Sequence, residues 1–216
     1  MAGVLYSAII NEANLLAAWQ HVRANLGAPG IDRISVDDFE KCAEKELAVL
    51  HQELANQAFQ PAPYLTFTKE KSANKSRVLH IPTVRDRIVQ QAVLQQIRSL
   101  LEKQFHDCSY AYRPGRSAVK ALARVERHLS RGLTWILNAD ITTFFDEIDR
   151  SILKKKIEYL IEDRDVTSLV FSCINALPSE LQKGIPQGMV LAPLLSNLYL
   201  NDFDGVMQKG TWHYVR

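Results

Sequence analysis

The stretch NADITTFFDEID, residues 138–149, decides how this chain is read. It continues the apolar run Trp135-Ile136-Leu137, so that TWILNADIT reads as a buried strand over about 133–141 with the carboxylate of Asp140 among Trp135, Ile136, Leu137 and Ile141. Burying an ionised carboxylate costs several kcal/mol unless a cation, a metal or good donors compensate it. Asp140 therefore predicts something positive opposite it. Asp146 lies an even number of residues further on, and a straight strand through both would place them on one face, where they could hold one divalent ion. The competing reading of Asp146, after Phe144 and Phe145 and ahead of a helix, is a cap on backbone amides.

Working outward, 216 residues with 47% hydrophobic content suffice for a real core. Cys42, Cys108 and Cys173 are far apart with no Cys-x-x-Cys pair, which points to neither zinc nor a disulfide framework, and a reducing cytoplasm is expected. The opening residues lack a basic segment ahead of their apolar run, and MVLAPLLSNLYL is short and carries Pro193, so neither a signal peptide nor a membrane span is expected. Charge is uneven. Residues 69–131 hold 14 Lys and Arg against 5 Asp and Glu, a net of +9 that leaves −7 for the rest of the chain. A basic segment flanked by acidic ones suggests a phosphate surface beside a region that collects cations, or else a solvated helix face with salt bridges.

Leu15, Trp19, Val22 and Leu26 recur at helical spacing, and GAPG at 27–30 ends that element. Ser35 and Asp38 resemble a capping box ahead of a helix presenting Phe39, Ala43, Leu47, Leu50 and Leu54. YLTFT and RVLHI predict a β-hairpin over about 62–81, joined by the polar loop KEKSANKS. From Arg85 a helix carries Ile88, Val89, Ala92, Val93, Ile97 and Leu100 inward. The RPGRS turn leads to another helix, with Arg124, Arg127 and Arg131 near its end. Further helices are expected from Asp149 and over 166–176, a tight GIPQG loop at 184–188 opens a long helix, and TWHYVR alternates like a strand.

Several stretches carry chemistry. The hairpin loop, with Lys69, Lys71, Lys75 and Arg77, could present ammonium and guanidinium groups to a triphosphate, and equally reads as a hairpin decorated for solubility. GIPQG lets backbone approach a ligand while Gln187, beside Gly188, reaches a base or sugar. YAYRPGRS combines Tyr110 and Tyr112 with Arg113 and Arg116, a set suited to a nucleic-acid strand, although the tyrosines read also as core and Arg113 as half of an ion pair. His80 and His106 read as structural, and Cys108 and Cys173 as small core residues.

Taken in order, GAPGIDRISVDDF (27–39), KSRVLHIPTVRDRIVQQAV (75–93), SYAYRPGRSAVKAL (109–122), NADITTFFDEID (138–149) and GIPQGMVLAPLLSNLYL (184–200) resemble bacterial reverse transcriptases, in the lineage of group II intron maturases and CRISPR-associated enzymes. The resemblance implies an α+β right-hand polymerase. N-terminal helices and fingers would occupy residues 1–131, and a partial palm, a small antiparallel sheet backed by helices, residues 132–216. It implies magnesium, two ions in the complete enzyme, with Asp140 as the catalytic metal ligand assisted by the carbonyl of Ile141. Phe145 falls at the aromatic gate that excludes a ribose 2′-hydroxyl. Lys71 and Arg77 fall at the grip on the incoming triphosphate, and Gln187 and Gly188 in the nucleotide pocket, while Lys69, Lys75, Arg113 and Arg116 are the candidate nucleic-acid contacts.

The implied partners are an RNA template, a DNA or RNA primer and deoxynucleoside triphosphates, with intron RNA or CRISPR adaptation proteins as further candidates. One aspartate cannot hold two ions. The remaining carboxylates of the family come from a Tyr-x-Asp-Asp turn expected where this sequence stops, after Arg216, and the thumb is missing too. The resemblance therefore implies an amino-terminal portion that is inactive alone. The alternative is an RNA-binding splicing scaffold that performs no synthesis.

Overall fold

The computed structural model describes residues 3–72, 75–177 and 183–216, with the side chains of 70–76 outside the described set. Helices dominate. Helix α1 (Val4–Ile10) meets α2 (Glu12–Ala24) at Asn11, whose side chain accepts the amide of Ala13. The expected capping box forms at Ser35, whose hydroxyl accepts the Asp38 amide at 3.0 Å and opens α3 (Val36–Glu40). The single helix expected there is two, because the chain turns at Lys41 and Cys42 before α4 (Ala43–Ala55). Leu26, expected as the last residue of a helical face, lies beyond α2 at φ 45° and is exposed.

The hairpin forms, with longer strands than expected. Strands β1 (Leu65–Ser72) and β2 (Lys75–Ile81) pair antiparallel from Leu65↔Ile81 to Ser72↔Lys75, so most of the polar loop is inside the ladder. Pro82 cannot donate to a ladder and ends it. Thr83 then caps α5 (Val84–Glu102), its side chain accepting the Asp86 amide.

Helix α5 is the mast of the molecule. Ile88, Val89, Ala92, Val93 and Ile97 are fully buried; the series ends on Leu101 rather than Leu100, which is exposed. Full burial of each of these side chains larger than alanine contributes about 1.5–3 kcal/mol. Around the mast pack α1, α2, α9 (Arg164–Asn175) and α10 (Ala192–Met207), with α8 (Arg150–Leu160) against α9 and α10, and one contiguous core runs from Tyr6 to Leu198. The N-terminus is tied in by polar contacts. The Tyr6 amide donates to Asp163 at 2.9 Å and its hydroxyl to the Leu54 carbonyl at 2.8 Å. Helices α6 (Ala118–Leu129) and α7 (Phe144–Glu147) bury no residue fully. No described helix is long and apolar enough to cross a membrane.

Two expectations are corrected. Residues 133–141 belong to no strand, and they are not buried: Trp135 is 97% exposed and Leu137 93%. A strand is completed by a neighbour that takes its backbone hydrogen bonds. Among the described residues β1 and β2 pair only with each other, so the expected palm sheet does not form and Asp140 stands in water. TWHYVR likewise is not a ladder strand. Among the described residues only Arg216 of this stretch pairs by backbone, donating to the Cys108 carbonyl at 2.7 Å and accepting from Tyr110 at 2.6 Å.

Candidate functional site

Three segments far apart in sequence meet at the GIPQG loop. On one side β2 uses its free edge, the His80 amide donating to the Gln187 carbonyl at 2.6 Å. On a second side the Gly184 amide donates to Ile148 at 2.8 Å and the Ile185 amide to Phe145 at 2.9 Å, which binds the loop to α7 and the turn after it. On the third, the amide of Val190 donates to the buried side chain of Gln90 on α5 at 2.8 Å. Gly188 makes the close approach possible. Its φ is +122°, and a Cβ there would overlap the carbonyl oxygen of His80.

The junction unites two predicted site residues. Arg77 Nε donates to Gln187 Oε1 at 2.7 Å, 110 residues away. In the hairpin register Lys69 lies directly opposite Arg77, both exposed, so two cations share one face of the ribbon. Like charges directly opposed across strands are destabilising, and an anion on that face would relieve them. The side chains of Lys71 and Lys75 lie outside the described residues. Phe145 is half-buried beneath the loop, its ring 5.6 Å from that of Phe144 in a T-shaped pair.

His80 reads as structural in sequence, and nothing there marks it otherwise. Its backbone clamps the loop, while its Nδ1 is buried without a hydrogen-bond partner among the described residues. Burial holds the imidazole below its ordinary pKa, and the carboxylate of Asp146 pulls the other way. Asp146 is exposed in the first turn of α7 and makes no cap; the capping role falls to Asp149, which accepts the Ser151 and Ile152 amides at the start of α8.

Asp140 and Ile141 sit in the exposed segment before α7. Among the described residues the Asp140 carboxylate has no salt-bridge partner, and no group of three or more His, Cys, Asp or Glu side chains gathers to hold a metal. The arginines of the RPGRS turn divide. Arg113 is buried, pairs with Glu102 at 2.9 Å and donates to the carbonyls of His106 and Ser109, so its guanidinium is occupied in holding the turn. Arg116 is half-exposed, donating to both the carbonyl and the carboxylate of Asp107 at 2.7 Å and lying over the Tyr110 ring.

Comparison with known proteins gives this arrangement a setting. Residues 68–215 match the model of the family described as reverse transcriptase (RNA-dependent DNA polymerase). The chain is 34% identical over 206 residues to protein YkfC of Escherichia coli K12, covering 86% of this chain and 54% of YkfC. It is 32% identical over 209 residues to the group II intron-encoded protein LtrA of Lactococcus lactis, covering 93% of this chain and 34% of LtrA. It thus spans about half of one relative and a third of the other. In fold it is similar to a chain of a solved partial Cas6-RT-Cas1–Cas2 complex, with a TM-score of 0.62 at 24% identity over 96% of this chain and 35% of that one. The family match takes in most of the hairpin, the mast helix, the segment around Asp140 and the GIPQG loop, well over half the sequence, and the chain belongs to the reverse transcriptase family.

Proposed function

We propose that this chain carries the fingers, residues 1–131, and part of the palm, residues 132–216, of an RNA-directed DNA polymerase working in the cytoplasm. The observation that supports it most is the junction in which β2 and the GIPQG loop share backbone and side-chain hydrogen bonds, with Arg77 against Gln187 and Lys69 opposite Arg77. The opposed cations suit the triphosphate of an incoming deoxynucleotide, and Gln187 and Gly188 form the adjoining wall of its pocket. Phe145, held under that loop by its carbonyl, is the candidate sugar gate.

Asp140 and the carbonyl of Ile141 offer the hard oxygen ligands that suit magnesium. When bound, two such ions lower the pKa of a primer 3′-hydroxyl and neutralise the triphosphate. Asp140 is accessible and has no cationic partner among the described residues, as a ligand in waiting must be. Two ions need more carboxylates than Asp140 supplies, so residues 1–216 alone are expected not to extend a primer.

A second reading is supported by the kinship with a group II intron-encoded protein, in which the same scaffold would bind intron RNA without synthesis. Primer extension on an RNA template by the complete protein, with and without Asp140→Asn, tests the choice. Loss of extension with RNA binding largely intact supports the polymerase. Equal loss of both assigns Asp140 to folding, and a wild-type protein that binds intron RNA but never extends a primer supports the scaffold.

A further inference from the structure

Helix α6 follows the RPGRS turn and contributes no fully buried residue to the core. It is nonetheless sharply two-sided. Val119, Leu122 and Leu129 are its exposed apolar residues, while Lys120, Arg124 and Arg127 recur at intervals of four and three, and Arg131 follows in the next turn at four more. That spacing aligns Lys120, Arg124 and Arg127 along one side of the helix over about 11 Å, with Arg131 just past its C-terminus. The only acid within the helix is Glu126. The convergence is felt at His128, whose imidazole is held below its ordinary pKa by desolvation and then by His213, Arg124, Arg131 and Arg127.

At the start of this face the turn makes an open concavity of about 460 Å³ lined by Arg116, Lys120 and Arg124, with Tyr110 and Asp107 in its wall. Its cations are pre-positioned. Arg116 is held by Asp107, Lys120 donates to the Gly115 carbonyl at 2.5 Å, and Arg124 donates to the Asp107 carbonyl at 2.8 Å. Among the described residues only Arg116 of these five cations has an acidic partner within salt-bridge distance. Tyr112, next to the turn, is 67% exposed, and the Tyr110 ring lies 5.3 Å from the Arg116 guanidinium. A cationic stripe with aromatic rings at one end suits a strand that offers both regularly spaced phosphates and bases to stack.

We propose that the Arg116–Arg131 face is a second nucleic-acid contact, using residues distinct from the Arg77–Gln187 junction, and that it holds the phosphodiester backbone of a single strand. The concavity seats one phosphate against Arg116, Lys120 and Arg124; Arg127 and Arg131 guide the strand along the helix. This rests on the polymerase reading for the nature of the ligand.

The test is anisotropy of a labelled single-stranded RNA, with a matched DNA strand in parallel, titrated with the 216-residue protein over a range of salt concentrations. Lys120→Gln/Arg127→Gln removes two exposed cations without touching the core, and circular dichroism verifies the fold. The expected result is weaker binding and a log–log salt slope shallower by about 1.4, at about 0.7 for each phosphate no longer neutralised. Lys154→Gln on α8, an exposed cation away from this face, should leave the slope unchanged. A shallower slope with either RNA or DNA supports a backbone track, and comparing the two shows which sugar it accepts. Wild-type binding with an unaltered slope in the double variant overturns the track alone, whereas no binding by the wild type overturns the nucleic-acid reading beneath it. Competition by polyglutamate at matched charge concentration as strong as that by RNA would also overturn the track, marking the face as one for acidic polypeptides.

Discussion

Substituting Gly188 by alanine tests whether the GIPQG loop and β2 act as one unit. At φ +122° a residue with a Cβ occupies a sparsely populated region, at a cost of about 1–3 kcal/mol. The added methyl also meets the His80 carbonyl, a backbone atom that cannot rotate away, and such overpacking costs about 1–3 kcal/mol more. Reduced freedom of the unfolded chain returns about 0.4–1 kcal/mol. The net destabilisation is about 1–6 kcal/mol, a large share of the stability of an ordinary domain. The cheapest relief is for the loop to withdraw from β2, giving up the bond from the His80 amide to Gln187 and the bond from Arg77.

Gly115→Ala is the matched control, since Gly115 has φ +69° with nothing within 4 Å of its added Cβ. It carries backbone strain without the collision. Urea denaturation of both variants separates the two effects, and hydrogen exchange at the His80 amide reads the loop directly. The expected outcome is a greater loss for Gly188→Ala together with faster exchange at His80. Equal losses with unchanged His80 protection would refute the idea that the loop is clamped by close packing.

Three other outcomes are expected. Asp204 is fully buried and accepts two hydrogen bonds from Arg216, so Arg216→Leu should cost about 3–5 kcal/mol by calorimetry, with most of it recovered when Asp204→Leu is added; a single-variant loss under about 1 kcal/mol would show the pair is dispensable. His80 has a depressed pKa when folded and an ordinary one, near 6.5, when unfolded, so the unfolded chain binds more protons and stability falls as pH drops from about 6.5 toward the folded value. His80→Gln should flatten that dependence; the comparison with wild type cancels Asp86, whose carboxyl is raised by burial and acts in the opposite sense at lower pH. On the proposed polymerase reading, Phe145→Ala should admit ribonucleotides, read as a fall in the kcat/KM ratio of deoxynucleotide to ribonucleotide, and an unchanged ratio would remove Phe145 from the gate.

Much of the fold is legible in the sequence because local rules decide it. Ser35 and Asp149 mark expected helix starts, and the side chain of each accepts backbone amides there; the Thr83 cap of α5 is seen only in the structure. The apolar period of α5 survives to Ile97 and slips only at its last turn, where Leu101 replaces Leu100 inside. Pairing of candidate site residues is not legible. Arg77 and Gln187 meet only because α5 carries Gln90 to the amide of Val190 and Gly188 leaves room for β2, none of which periodicity records. Arg113 and Arg116 are alike in the RPGRS turn, yet one is consumed by Glu102 and backbone carbonyls while the other lines an open concavity.

The segment 133–141 shows why sequence misjudges the burial of the central carboxylate. Alternation and apolarity describe what a side chain prefers once a sheet exists, but a strand is a property of two backbones, and the sequence of one does not specify where its partner lies. Trp135, Ile136 and Leu137 are therefore strand-like in composition and exposed in fact. The same reasoning reverses the logic of the buried charge. Asp140 in water carries no desolvation cost that a cation must offset, so its role rests on the chemistry of its oxygens and on the family to which the chain belongs, and the decisive measurement is the separation of extension from RNA binding in Asp140→Asn.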